Sequence, residues 1–591
     1  MPTHLLRQPN FVALLILAWL AVALALLLQY WPRTAETLFD TDDAMRLVQM
    51  HAWLAGPGLL SGWFDLHHTR LQPPLGIELH WSRLIDAGLA GLLLSFEAFV
   101  DHLAAERLMR AWWPLLWLLP AMAGMAAIAW RIAGREAAMV ALLLAMVGVP
   151  AYQQFTPGRI DHHNVQITLT LLLVAATVWS DRKPWTATAA GALSGFALAI
   201  GFESLPYLAV CGAAFAARYV ADRAAAPSLR AYGLSLAVSA AVAFGVSIGP
   251  AHWTRNLCDA IAINNVAAAI CGGLVLALAG WLVHERRLTR AAAIVGAGSA
   301  AAAVLLLLEP RCAGGPLAMV DPAIWPIWLG DVREMQPLLD LWRNNPLTAA
   351  AIAAFPALAL LATAILVREG ELRRDFGFIV AALAFIFAAA VTVAAIRSFS
   401  YAMWLGMPLV AALALRLFMV LRLKSSLARV AAALALTPLA LSSGAIAIAV
   451  ATGLNDDASF GRPETQPCRA TANYAPLRDL EPGLIVTDIS YGPFLLALTP
   501  HSVMAAPYHR LSAGIVTAHR ALAEPPEQAR GILLEANATY VLICGPRPPD
   551  GLLEPERSRS LWGRLQAGTV PDWLEPLKVS QIFAVYRVTR P

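Results

Sequence analysis

The stretch GRIDHHNVQ (residues 158–166) sets an acid and two histidines, Asp161, His162 and His163, directly ahead of an apolar run that continues to about residue 180. A run of that length crosses the hydrocarbon core of a bilayer, so the three polar side chains sit at the mouth of a membrane segment. The surrounding chain agrees: 59% of its 591 residues are hydrophobic and 14% charged, and the mean hydropathy is +0.61, outside the range of soluble domains. This is a polytopic α-helical membrane protein whose first partner is the lipid bilayer. The net charge of +4 and the absence of a basic block interleaved with aromatics argue against nucleic acid.

Working outward from residue 164, about thirteen apolar runs are expected to span, near 11–30, 111–130, 137–153, 164–180, 187–203, 204–218, 231–249, 261–283, 291–308, 346–367, 375–396, 400–419 and 428–451. The first, from Phe11, is too long for a signal-peptide core and is expected to remain uncleaved with its N-terminus inside. The Lys/Arg-rich loops RIAGRE (131–136), DRKP (181–184), ARYVADR (217–223), HERRLTR (284–290), VREGELRRD (367–375) and RLKSSLAR (422–429) all fall on one side, the cytoplasmic side by the positive-inside rule. A further run, Leu84 to Val100, would invert every later loop if it crossed. It is expected to be a re-entrant or surface-lying helix within a large outer loop, 31–110. The outer side then also holds loops 154–163 and 309–345 and the tail, 452–591. That tail is richer in Pro, Asp, Glu and Arg, with short β-like runs such as GLIVTDI, TYVLICG and QIFAVYRV, and suggests a periplasmic α/β domain after a membrane domain of residues 1–451. No internal repeat or CxxC motif is evident. Cys258 and Cys312 both fall in outer loops, where pairing is chemically allowed.

Four polar clusters converge on the outer side. Asp161 and its histidines suit a helix cap as well as a metal. Asp40 and Asp42, spaced D-x-D in LFDTDDAMRL, face one hard cation if the backbone is extended, and a plain helix cap otherwise. Glu334 in DVREMQPLL is alone an ordinary surface acid. Arg397 in AIRSFSY ends an apolar run, where a guanidinium snorkels or meets a carboxylate or phosphate. Together they suit a divalent cation gripping a lipid-linked phosphate while a sugar is displaced from it.

These motifs resemble those of the STT3-type oligosaccharyltransferases, including archaeal and bacterial single-subunit forms, within the GT-C class of membrane glycosyltransferases. Asp40 with the following MRLV, PPLG and HW, then GRIDHH, DVREMQP and RSFSY, stand in the family's order. The resemblance implies a GT-C fold of about 13 transmembrane helices. It also implies Mg²⁺ or Mn²⁺ held by Asp40, Asp161 and His163, Glu334 beside metal and acceptor, and Arg397 on the donor phosphate. TDISYGPFLL aligns with the family's W-W-D-Y-G signature, but Asp488, Ile489 and Ser490 replace the two tryptophans and the aspartate, leaving Tyr491 and Gly492. Gln166 stands where the archaeal motif usually has Glu, and Ser398 separates Arg397 from Phe399. Asp42, His162, Glu203, Tyr491 and His509 are further site candidates. Trp63, Asp65, His67, His68, Arg70 and the segment APYHR (506–510) serve structure or contact a glycan.

The expected function is metal-dependent transfer of a sugar or oligosaccharide from a polyprenyl-(pyro)phosphate donor to a glycan, lipid or protein acceptor, on the periplasmic face of a bacterial inner membrane. A related transferase using a polyprenyl-monophosphate monosaccharide, a lipid-linked glycan flippase and a non-catalytic scaffold are the alternatives.

Overall fold

The computed structural model describes residues 10–282, 285–368, 372–456, 467–549 and 551–590. Sixteen helices, α1 to α16, precede the tail. α1 (Phe11–Glu36) is capped by Asn10, whose side chain accepts from the Val12 N–H. It is followed, in the long connection predicted as the first outer loop, by α2 (Thr41–Leu54) and α3 (Arg83–Glu97). α4 (His102–Met146) merges two of the predicted spans. RIAGRE, expected as a loop, is a break at Ala133 and Gly134, where Gly134 takes φ +83°, a backbone region open chiefly to glycine. Then come α5 (His163–Trp179), α6 (Trp185–Ile200), α7 (Leu205–Ala221), α8 (Ala226–Ser247), α9 (Ile263–Trp281), α10 (Arg287–Leu308), the short α11 (Leu338–Asn344), α12 (Pro346–Arg368), α13 (Phe376–Ala394), α14 (Phe399–Val420), α15 (Ser426–Ala435) and α16 (Pro438–Ala451).

Among the described residues nine helices are long and apolar enough to cross a membrane, or ten if α15 and α16, bent by 53°, form one broken span. This is fewer than the thirteen runs predicted. α4 carries two of those runs, α5 and α6 have 17 and 16 residues, and the last run is divided at Leu436–Thr437 ahead of Pro438, which cannot continue a helix. The ambiguous run from Leu84 is α3, 15 residues long and about 22 Å by helical rise, short of a hydrocarbon core. It carries a buried charge cluster: Asp86 is fully buried and takes Arg46 at 2.9 Å, Arg83 at 3.0 Å and the Gln49 amide at 2.5 Å. This cluster pins α3 beneath α2.

Close helix packing relies on small residues, as expected where lipid gives no hydrophobic drive between helices. Gly191 and Gly195 of α6 lie against Ser235 and Ser239 of α8, and Gly233 of α8 against Gly273 of α9; an added Cβ at Gly195 would fall 2.1 Å from Ser239 Oγ. At the far end from the acid cluster, buried Arg131 pairs with Asp181 at 2.5 Å and Asp375 at 2.9 Å, joining three of the basic loops.

In the outer loop, β1 (His67–His68) and β2 (Ile77–Glu78) form a two-residue ladder. The tail builds a five-stranded sheet from β3 (Leu484–Val486), β4 (Ser502–Val503), β5 (Tyr540–Cys544), β6 (Leu574–Leu577) and β7 (Phe583–Val588), ordered β4-β3-β5-β7-β6. The pairs β3–β4 and β3–β5 are parallel, and β5–β7 and β6–β7 antiparallel. β5 is buried along its whole length, as its apolar sequence YVLIC requires. The outer loop docks on this sheet: Leu71 bridges Val503, and Arg70 donates to the carbonyls of Thr499 and His501. Two disulfides form, Cys258–Cys312 and Cys468–Cys544. The second tethers the segment before the sheet to the end of β5, a pairing with no signature in the local sequence.

Candidate active site

Four chain segments meet at one point. Asp40 has extended backbone (φ −140°, ψ −173°) and caps α2, accepting from the N–H groups of Asp42 and Asp43 at 3.0 and 3.1 Å. The D-x-D pair is therefore a helix start and not an extended strand, so its two carboxylates diverge. Asp40 turns toward Arg159, whose guanidinium also holds Asp43 at 2.9 Å and Asp161 at 2.6 Å. Asp42 turns to the other side, where a donor oxygen lies within 4.8 Å of ligand atoms of Asp161 and His163.

GRIDHH follows as a loop that α2 grips. The Ile160 and Asp161 N–H groups donate to Asp43 Oδ1 at 2.7 and 3.2 Å. Asp161 is fully buried and accepts the His163 N–H at 2.9 Å, so it caps α5 and also faces the cluster. His163 Nδ1 lies 3.0 Å from Glu203 Oε2, while its Nε2 lies 3.4 Å from Arg397 Nη2 and 3.7 Å from Asp161 Oδ2. With the proton on Nδ1 shared with Glu203, the Nε2 lone pair faces Arg397, and a carboxylate behind the ring is how metal-ligating histidines are oriented. Arg397 also pairs with Glu203, and more distantly, at 3.5 Å, with Glu334, which is about half exposed.

The charges respond to this crowding. Burial, then the carboxylates of Asp161 and Glu334, push Asp42 up to about 7. Burial and Asp161 likewise push Asp43 well above the carboxylate range. Burial works against Asp161 as well, yet Arg159 and His163 hold it well below that range. Burial and His163 keep His162 low and therefore neutral.

Six carboxylates, Asp40, Asp42, Asp43, Asp161, Glu203 and Glu334, face two guanidiniums, Arg159 and Arg397. A hard dication suits that imbalance. Among the described residues three overlapping donor sets are present here, His162–His163–Glu203, Asp42–Asp161–His163 and Asp40–Asp43–Asp161. Asp161 belongs to the last two, whereas the predicted trio of Asp40, Asp161 and His163 is divided between them because Asp40 is engaged by Arg159.

Of the further candidates, Glu203 and His162 join the cluster. His509 lies to one side, 2.7 Å from Asp259, which Arg510 also grips at 3.1 Å, while the neighbouring Tyr508 hydroxyl donates to the Thr41 carbonyl at 3.0 Å. Tyr491 is not brought to the cluster. It is buried in the tail, its hydroxyl 3.4 Å from the Cys544 carbonyl, and it lines a small cavity with Arg469, Asp488 and Trp562. Trp63, Asp65 and Arg70 serve as structural ties through backbone carbonyls or their own side-chain donors. Arg159 is the residue that sequence reasoning missed, and Asp43, recognised as part of the acidic run with Asp40 and Asp42, was given no role of its own. The spacing of Asp43 three residues after a capping aspartate, and the arginine inside GRIDHH, were the available signals.

No protein-family model matches the chain, and no curated protein matches it. Solved structures do. The archaeal oligosaccharyltransferase AglB from Archaeoglobus fulgidus, in complex with an inhibitory peptide and a dolichol-phosphate, superposes with a TM-score of 0.64 at 15% identity, covering 90% of this chain and 69% of that one. The Archaeoglobus fulgidus enzyme tethered to an acceptor peptide containing the NVT sequon gives 0.62 at 15% identity, covering 90% and 69%. Its complex with Zn and sulfate gives 0.58 at 16%, covering 90% and 68%. With its helical membrane part and its C-terminal sheet, the chain has the GT-C fold of the STT3-type oligosaccharyltransferases.

Proposed function

We propose that the chain is a membrane glycosyltransferase that moves a sugar or oligosaccharide from a polyprenyl-linked phosphate donor to an acceptor on the outer, periplasmic face of a bacterial inner membrane. The observation that carries this reading is the cluster itself: Asp42, Asp161 and His163 present donor atoms to one point, with Arg397 beside them. A magnesium or manganese ion bound there would supply Lewis-acid stabilisation of the departing phosphate. Asp161 would be its common ligand, His163 would stay oriented by Glu203, and Asp40 with Asp43 would be neutralised by Arg159. Arg397 would exchange its pairing with Glu203 for the donor phosphate, a bidentate fit for a guanidinium. Glu334, the most exposed of the acids, would orient or deprotonate the acceptor.

The surroundings support a lipid-linked donor. An apolar cavity of about 540 Å³ among α6, α7, α8, α9 and α10 is lined by Leu198, Phe202, Leu205, Leu276, Ile294 and Leu305, and Phe202 directly precedes Glu203 in the chain. It suits a prenyl chain whose phosphate reaches the cluster. The solved relatives, bound to a dolichol-phosphate, an acceptor peptide, and Zn with sulfate, bind ligands of the same chemistry. Both disulfides join residues on the side assigned to the exterior, as an oxidising compartment favours.

The acceptor is proposed to be a glycan or lipid and not a peptide asparagine. The segment aligned with W-W-D-Y-G is turned inward, with Asp488 capping the Ser490 N–H and Tyr491 buried. A polyprenyl-monophosphate donor fits equally. A flippase is disfavoured because the polar groups lie at the starts of α2, α5, α7 and α14, not at mid-span. Mass spectrometry of polyprenyl-linked lipids, from cells carrying wild type or Asp161→Ala at equal abundance, tests the reading. One polyprenyl-linked glycan should accumulate in the variant, and identical lipid profiles would refute transfer.

A further inference from the structure

A second group of ligating side chains lies apart from the acid cluster, where the last turn of α2 meets the first turn of α4. His51 Nε2 is 3.1 Å from Glu106 Oε2, and donor atoms of His51, His102 and Glu106 all lie within 4.8 Å of one another. His102 and Glu106 are four residues apart on α4 and so share a face. Two ligand atoms held at about 2.0–2.1 Å by a tetrahedral ion stand roughly 3.3 Å apart, close to the observed His51–Glu106 separation.

The next layer out is also in place. His102 Nδ1 is held at 2.6 Å by Glu97 Oε1, which leaves Nε2 as the coordinating nitrogen, the carboxylate–histidine arrangement common behind bound zinc. Glu106 Oε1 is steadied by Arg110 at 3.5 Å, leaving Oε2 toward His51. The His51 and His102 side chains are 38% and 56% exposed, so an ion reaches the group from solvent and keeps room for water.

We propose that His51, His102 and Glu106 form a second metal site, for a divalent transition ion such as zinc. Two imidazoles and one carboxylate favour zinc over the magnesium or manganese that suits the oxygen-rich acid cluster. The ion would staple the end of α2 to the start of α4. Because the opposite end of α2 carries Asp40, Asp42 and Asp43, the staple would fix the helix that presents those acids. The site stands whether or not the chain is a glycosyltransferase.

The test is zinc titration by calorimetry, with the thermal midpoint followed in parallel, on the purified full chain stripped with chelator and kept in excess magnesium. A His163→Ala/His509→Ala background removes the two other groups that pair imidazoles with a carboxylate, His162–His163–Glu203 and His80–Asp259–His509, as competing zinc sites, while the magnesium occupies the remaining carboxylates. In that background one zinc ion should bind and raise the midpoint, and adding His51→Ala or His102→Ala should abolish both effects. Glu97→Gln should weaken zinc binding by about 10–100-fold without abolishing it, a response expected of a residue behind a ligand and not of a plain surface ion pair. Zinc uptake that is unchanged in both the His51 and His102 variants overturns the site, as does a His163→Ala/His509→Ala protein that binds none. His102 is largely exposed, so its variant folds even if His51→Ala does not.

Discussion

Replacing Asp86 by Asn should be among the most damaging single changes outside the site. Asp86 is fully buried, and its two oxygens take Arg46 at 2.9 Å and Arg83 at 3.0 Å, the two guanidiniums being 1% and 2% exposed. Removing one partner of a buried ion pair costs about 3–5 kcal/mol, because the remaining charge stays out of water uncompensated. Two arginines depend on this one acid. Asparagine retains one acceptor but brings an amide N–H₂ toward donors, since the Gln49 amide already points at Oδ2. The loss should therefore be at least about 3 kcal/mol, which lowers the melting midpoint by roughly 2–3 °C or more for a chain of this size. Fluorescence-monitored melting in detergent reads it, with Glu575→Gln as the control. That change removes the acid of the exposed Arg587–Glu575 pair and should cost less than about 0.5 kcal/mol. If D86N melts with the control, the buried acid does not hold α2 on α3 and the reasoning fails.

Three further outcomes follow from the same geometry. Arg159→Gln leaves Asp40, Asp43 and Asp161 uncompensated; it should melt earlier than wild type in chelator and recover more of its midpoint on adding magnesium, as thermal melts with and without the ion will show. Burial acts to raise the Asp259 carboxyl, yet His509 and Arg510 hold it below the usual range. Its stabilising contribution is thus full above about pH 4 and is lost as pH falls through the depressed folded value, so the midpoints of wild type and Asp259→Asn should converge at acid pH and separate at neutral. Reducing Cys258–Cys312, which closes a 54-residue separation, should cost about 4 kcal/mol on the chain-entropy account; a Cys258→Ser protein that melts like wild type would argue against it.

Local pattern made much of this legible. Among the described residues each predicted span lies mainly on helix, because apolar runs of membrane length leave the backbone few other ways to satisfy its hydrogen bonds. GRIDHH, Glu334 and Arg397 were found because their types are costly at a membrane boundary unless they are used. What stayed hidden depends on distant pairing. Arg159 meets Asp40 and Asp43 across more than a hundred residues, and nothing near either position announces the partner. The D-x-D left an extended pair and a helix cap both open, because spacing alone does not show that Asp40 starts a helix. The Cys468–Cys544 bridge was likewise set by tertiary contact.

The seam between Arg70–Gln72 and Val503 bears on how the protein can be taken apart. Val503 donates its N–H to the Arg70 carbonyl and accepts from the Gln72 N–H, both at 2.9 Å, so three residues of the first outer loop occupy the free margin of β4. The tail expressed alone would present that margin bare, inviting a second molecule to pair along it. The membrane part alone would lose the backbone partner that orders the loop ahead of β2. A chimera that exchanges the tail at residue 452 therefore has to carry residues 70–72 with it, although they lie far away in sequence. The unit of exchange in this protein is a discontinuous one.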